Sequence, residues 1–231
     1  MYYTGGKGRA YQQLINLMPP HRVYVETHLG SGAVLRHKRL AQISIGIDID
    51  PLVISGWRRR NFDHIQIIRS DSIEWLKTFD FKGDELIYAD PPYVPETRRR
   101  RRCYRYDYTI TDHERLLDVL SVLPCRVMLS GYQNSLYDGR LSSWRRIDFA
   151  SITQVGLRQE SVWLNFPPTP FLHDYSFIGH DFREREQLRR WRHSLTRRFA
   201  SSAPLVINAA LSDLADRFPD AVIAAADRVR Q

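Results

Sequence analysis

The feature that most constrains the fold is an alternation in the first 130 residues: short, β-branched apolar runs take turns with helix-length amphipathic segments. Residues 23–26, 43–48, 65–69, 86–90 and 126–130 read as strands, and 31–41, 51–60, 72–79 and 112–123 as helices between them. Pro51 suits a first helical turn with Asp50 as its N-cap, and Thr111 or Asp112 opens the later helix. Such alternation predicts an α/β fold with a mostly parallel sheet and right-handed crossovers.

Past residue 130 the pattern changes. Residues 145–149 and 160–165 read as two strands joined by a short polar connection, an antiparallel hairpin at one edge of the sheet. Pro167, Pro168 and Pro170 then mark a boundary, dividing a domain of residues 1–168 from a basic helical C-terminal extension of residues 169–231. In that extension a helix over 182–199 carries Arg183, Arg185, Arg189, Arg190, Arg192, Arg197 and Arg198, and two more helices span 205–217 and 221–230. The basic helix either lies along phosphates or pairs with Asp213, Asp216 and Asp220.

Charge narrows the choice of partners. The formal net charge is +8, and Lys7, Lys38, Lys77 and Lys82 are the only lysines. An arginine excess favours a polyanion, since the guanidinium binds phosphate bidentately and stacks on bases; it also follows from GC-rich coding. No apolar run reaches the roughly 18 residues that span a bilayer, and the N-terminus lacks the apolar stretch of a signal peptide. Cys103 and Cys125 are too few for a disulfide framework or a cysteine metal site and read as reduced thiols. These points predict a cytoplasmic protein without membrane attachment or metal.

The polar and glycine positions fall where the predicted parallel strands end, the side on which doubly wound sheets bind ligands. The first strand runs into Glu26-Thr27-His28-Leu29-Gly30-Ser31-Gly32, where two glycines allow a tight turn and a close approach to a ligand. Asp48, 22 residues after Glu26, either accepts hydrogen bonds from ribose hydroxyls or caps a helix. Asp71 either reaches an adenine amine or caps the helix over 72–79. The fourth strand ends in Asp90-Pro91-Pro92-Tyr93, a tetrapeptide whose chance occurrence in this length is on the order of one in a thousand. Two prolines make a rigid loop with exposed carbonyl acceptors. An exocyclic amine needs two acceptors to orient it, and Asp90 with the Pro91 carbonyl supplies them; Tyr93 offers a stacking face for a base.

With these residues in view, the chain resembles the Dam-type (alpha-group, D12 class) DNA adenine-N6 methyltransferases, and phage and prophage members in particular. Tyr3-Thr4-Gly5-Gly6-Lys7 is similar to the family's aromatic-x-Gly-Gly-Lys cofactor motif, and Glu26–Gly32 to its acidic-Pro-Phe-x-Gly-x-Gly loop. Asp48 stands at its ribose-binding aspartate and Asp90-Pro91-Pro92-Tyr93 at its catalytic loop. Tyr108, Thr111-Asp112-His113, Leu129-Ser130-Gly131-Tyr132 and Val162-Trp163-Leu164-Asn165 extend the resemblance to about residue 168. It implies a Rossmann-like sheet, S-adenosyl-L-methionine as methyl donor and a flipped adenine as acceptor. The cofactor residues it implies are Tyr3, Gly6, Lys7, Glu26, His28, Gly30, Gly32, Asp48, Asp71 and Asp90. Thr27 and His28 depart from the usual Pro-Phe; His28 either packs over the cofactor or forms a polar lid. Only 18 residues separate Asp71 from Asp90, too few for the recognition domain that Dam relatives carry there.

Arg98, Arg99, Arg100, Arg101 and Arg102 follow the catalytic loop without a break, then Tyr104, Tyr106 and Tyr108. The run either clamps phosphates, with a tyrosine filling the place of a flipped base, or is a solvated charge run. The expected partner is double-stranded DNA, and the expected state a monomer or homodimer. Two other readings stay open: an RNA adenine-N6 methyltransferase, and a non-catalytic nucleic-acid-binding protein that keeps the fold.

Overall fold

The computed structural model describes residues 10–60, 62–97, 104–153, 156–179 and 181–230. Among them, seven strands form one sheet: β1 (Val23–Thr27), β2 (Ile43–Asp48), β3 (Gln66–Arg69), β4 (Glu85–Ala89), β5 (Arg126–Gly131), β6 (Arg145–Thr153) and β7 (Gly156–Leu164). Their order is β3-β2-β1-β4-β5-β7-β6. β1 to β5 run parallel, and β7 lies antiparallel to both β5 and β6. This is the mostly parallel sheet with an antiparallel edge hairpin that the strand pattern predicts. β4 is buried along its whole length and β1 along all but its first residue, because helices cover both faces of a parallel sheet. Val25, Ile47, Ile87, Val127 and Leu129 from the sheet pack with Ile73, Leu76, Leu116, Leu117, Leu120 and Trp163 in one core. Each such side chain contributes about 1.5–3 kcal/mol of burial free energy.

The connecting helices are α1 (Ala10–Ile15), α2 (Ala33–His37), α3 (Pro51–Arg58), α4 (Ser72–Thr78), α5 (Ile110–Val122) and α6 (Ser135–Arg140), with a 3-10 turn at Pro95–Thr97. Two differ from the sequence pattern. α2 is five residues long where 31–41 is expected, because Gly32 enters it in the left-handed region and Lys38 leaves it extended. The Lys38 ammonium lies over the Tyr24 ring, 4.1 Å from its centroid, and the residue is buried there. α5 begins one residue before Thr111, at Ile110: Thr109 is its N-cap, in a reciprocal capping box with Asp112. Cys125 is buried and its thiol is pushed up to about 12, the behaviour of a structural cysteine; Cys103 lies outside the described residues.

The described residues fall into two compact units, one within 1–14 and 21–168, the other within 15–20 and 169–231. In the second, His173 N donates to Met18 O at 2.9 Å, tying the 15–20 segment in. It also holds α7 (Phe182–Ala200), α8 (Pro204–Arg217) and α9 (Pro219–Arg230). α7 and α8 bury no residue. On α7, Arg189 and Arg190 pair with Glu186 of the same helix. Asp213, Asp216 and Asp220 stand exposed, and among the described residues no ion pair joins them to α7. No described helix is long and apolar enough to cross a membrane.

Candidate active site

The chain leaves β1 for β2 and β3 on one side and returns to β4 on the other, which places the topological switch point between β1 and β4. Loops diverge there and leave a crevice beyond the strand ends. Thr27 pairs with Ala89, so the two loops start side by side. One carries His28 to Gly32, the other Asp90 to Tyr93.

The glycine loop is seated on an indole. Gly30 and Gly32 have φ of 47° and 58°, and a Cβ at Gly32 would lie 2.1 Å from Trp57 Cζ2. Trp57 Nε1 donates to the Gly30 carbonyl at 2.9 Å. Asp48 braces the same loop: its Oδ2 accepts from Gly30 N at 2.9 Å and its Oδ1 from Asp50 N at 2.8 Å. Each oxygen keeps a further lone pair, so bracing leaves room to accept from a ligand hydroxyl. Burial raises the Asp48 pKa. Asp50 caps α3 by accepting from Leu52 N, and Asp71 caps α4 by accepting from Ile73 N and Glu74 N. The capping alternative for Asp71 thus holds, and its side of the cleft is still lined by it.

Glu26 forms the buried floor. Its Oε2 accepts from the Tyr24 hydroxyl and from Leu35 N, both at 2.9 Å, so it fastens β1 to the first turn of α2. Burial, reinforced by nearby Asp90, pushes its pKa up to about 8. His28 takes a positive φ of 61°, alone in this among the described non-glycine residues. Its Nδ1 shares a hydrogen bond with Thr27 Oγ1 at 3.0 Å and its Nε2 one with the Tyr108 hydroxyl at 2.8 Å. Burial, with His113 beside it, lowers its pKa to about 3, so the imidazole is neutral and serves as a polar fastener.

After β4, the Tyr93 hydroxyl donates to Glu160 Oε2 at 3.2 Å, and the Tyr93 ring lies 4.3 Å from that of Tyr132, tilted by 58°. Glu160 is buried on β7. Sequence reasoning assigned no site role to Glu160, which stands behind Tyr93, nor to the cleft-lining Asp50, Arg105, Asp107 and Asp112.

Glu26, His28, Gly30, Gly32, Asp48, Asp71 and Asp90 through Tyr93 line a single cleft, and Tyr104 and Tyr106 join them. Tyr3, Gly6, Lys7, Arg98, Arg99, Arg100, Arg101 and Arg102 lie outside the described residues. Seven acidic residues, Glu26, Asp48, Asp50, Asp71, Asp90, Asp107 and Asp112, line the cleft against the one arginine, Arg105, among its described lining. Walls of one sign focus the field and draw in a ligand of the other, so the cleft suits a cation and opposes a pyrophosphate.

No family model matches the chain, and no curated protein sequence matches it. Solved structures do. A dimethyladenosine transferase from Plasmodium falciparum is 14% identical over 82% of this chain and 70% of its own, with a TM-score of 0.46. TrmK of M. capricolum, bound to S-adenosyl-homocysteine, is 9% identical over 93% of this chain and 97% of its own, at 0.46. An rRNA methylase from Streptococcus thermophilus is 13% identical over 68% and 95%, at 0.46. With β1 to β5 parallel, β7 antiparallel between β5 and β6, and a cleft at the β1–β4 switch point, the chain has a Rossmann-like α/β fold.

Proposed function

We propose that the chain is an S-adenosyl-L-methionine-dependent methyltransferase that modifies the exocyclic amine of adenine in DNA, as the Dam-type enzymes its motifs resemble do. The observation that carries this reading is the position of Asp90-Pro91-Pro92-Tyr93: it leaves β4 beside the glycine loop of β1, so an amine-orienting loop and a ligand-cradling loop share one cleft. The donor set fits the cofactor, because an acid-lined cleft favours a sulfonium and an ammonium over the phosphates of a dinucleotide. Gly30, Gly32, Asp48 and Asp71 would hold it, with Tyr3, Gly6 and Lys7 added by the resemblance. When bound, it supplies an electrophilic methyl group.

The remaining work falls to this chain's residues. Asp90 and the Pro91 carbonyl accept the two N–H bonds of the amine and draw its lone pair out of conjugation with the ring. Tyr93 stacks on the base and fixes its plane. Catalysis of this kind is mainly positioning. DNA is favoured by the motif resemblance, and a nucleic acid of either kind by the net charge of +8. Residues 72–89 hold α4, a six-residue connection and β4, so target choice does not come from an inserted domain there.

The test is transfer of labelled methyl to duplex DNA and to structured RNA, followed by digestion to nucleosides. N6-methyladenine in DNA, lost in Asp90→Ala with cofactor binding retained, supports the reading. Label in RNA alone would move the substrate to RNA. Neither transfer nor cofactor binding would leave a non-catalytic protein.

A further inference from the structure

Five residues that follow the arginine run, Tyr104 to Tyr108, line the cleft from above the glycine loop to the end of β2. Both ends of this segment are fastened, in different ways. At its downstream end the Tyr108 hydroxyl meets His28 Nε2 at 2.8 Å, and the two rings touch edge to face with centroids 5.2 Å apart. The next residue, Thr109, is locked by the capping box, with Thr109 N donating to Asp112 Oδ2 at 2.9 Å and Asp112 N to Thr109 Oγ1 at 3.2 Å. Tyr108 is largely buried, and burial raises its pKa well above the ordinary tyrosine range, so its hydroxyl stays protonated and able to donate. At the other end, Arg105 Nη1 stands 3.8 Å from Asp50 Oδ1, and its side chain is half exposed. Tyr106, between them, is 40% exposed.

One end is therefore a half-buried hinge, and the other includes an exposed ion pair of modest strength. Between them the segment crosses from the loop after β1 to the loop after β2, over the strand ends where Gly30 and Asp48 meet. A ligand seated on Gly30 and Asp48 lies beneath it, and opening the Arg105 end alone would uncover that ligand. The hinge residue His28 is held in a left-handed conformation unusual for a side chain of its size, which the Thr27 and Tyr108 hydrogen bonds help sustain.

We propose that residues 104–108 are a strap that retains the methyl donor, with Arg105 and Tyr108 as positioning residues that act through Asp50 and His28. This rests on the reading that the cleft takes S-adenosylmethionine. Arg105 latches the strap and Tyr108 hinges it; neither takes part in bond making.

The test measures S-adenosylmethionine binding by calorimetry and its release by rapid displacement, in the full-length chain. Arg105→Ala is expected to speed release about fivefold, and Tyr108→Phe, which keeps the ring and loses the hydroxyl, about tenfold. Arg105→Lys keeps the charge and should restore slow release. Lys82→Ala, which removes an exposed ion pair with Asp80 outside the cleft, should release at the wild-type rate. Melting curves separate retention from folding: a merely structural role would lower melting in Tyr108→Phe without changing release. Wild-type binding with unchanged release in both Arg105→Ala and Tyr108→Phe overturns the strap alone. Absence of binding by the wild-type chain overturns the strap and the cofactor reading together.

Discussion

The Tyr93 hydroxyl donates to Glu160 Oε2 at 3.2 Å across 67 residues of sequence, joining the loop after β4 to β7. Glu160 is buried, so its carboxylate is a fixed post and the tyrosine ring that would stack on a base is held from behind. Glu160→Ala should lower kcat for methyl transfer about tenfold, the worth of one hydrogen bond in a buried site. Cofactor affinity should be unchanged, since Glu160 is absent from the lining around Gly30 and Asp48. Glu160→Gln keeps an acceptor and should stay close to wild type. Steady-state rates at saturating cofactor, with calorimetric cofactor affinity alongside, check the split between the two constants.

Asp48 makes a different prediction. Its two oxygens accept from two backbone N–H groups, Gly30 and Asp50, in a nearly inaccessible setting. In Asp48→Asn one acceptor becomes an NH2 facing an N–H, leaving a buried donor without a partner. The expected loss of stability is about 1–3 kcal/mol, read as a fall in the thermal midpoint. Cofactor affinity should fall in the same variant, because the glycine loop loses its brace.

Glu26 gives a pH dependence with a definite sign. Burial and the neighbouring Asp90 raise its folded-state pKa to about 8, above its unfolded value. Between the ordinary carboxylate range and pH 8 the folded chain therefore binds the extra proton. Its stabilising contribution is full below the unfolded pKa and is lost as pH rises through about 8. Glu26→Gln keeps an acceptor for Tyr24 and Leu35 and cannot ionise. Its melting temperature should fall less than that of wild type between pH 6 and pH 8.5. Equal slopes for the two proteins would mean that Glu26 does not titrate in this window.

The strands were legible because a parallel strand buried on both faces must be a short apolar run, and β2 at Ile43–Asp48 needs nothing else to define it. Asp50 was legible as an N-cap because Pro51 follows it. Other features required contacts distant in sequence. α2 ends at His37 because Lys38 turns to lie over Tyr24, a tertiary choice that overrides a helical pattern running on to residue 41. α1 and α6, six residues each, are too short to show a period. The pairings of Tyr93 with Glu160 and Tyr108 with His28 bridge 67 and 80 residues, a range over which periodicity carries no information. Glu26, Gly30, Gly32, Asp48, Asp71 and Asp90 could be named in advance because each sits where a strand runs out; Asp107, just before α5, and Asp112, in its first turn, follow no strand and could not. The strap could not, since nothing local says which way an extended segment crosses.

Two glycine substitutions with opposite signs test the seating of the glycine loop. Gly32 has φ of 58°, and an added Cβ would sit 2.1 Å from Trp57 Cζ2, inside contact distance of a buried indole. Gly32→Ala carries about 1–2 kcal/mol for a left-handed alanine, and roughly 1–3 kcal/mol more for overpacking. Gly56 lies within α3 with open space where its Cβ would stand. Gly56→Ala removes backbone freedom from the unfolded chain and should stabilise by up to about 1 kcal/mol. Urea midpoints at unchanged slope measure both. Because Trp57 also donates to the Gly30 carbonyl, movement of the indole in Gly32→Ala would disturb the cradle at two points. That variant should therefore lose cofactor affinity beyond its loss of stability, and Gly56→Ala should keep it. A Gly32→Ala protein as stable as wild type would mean that the loop does not rest on Trp57, and the cleft would lose the support on which its glycine wall depends.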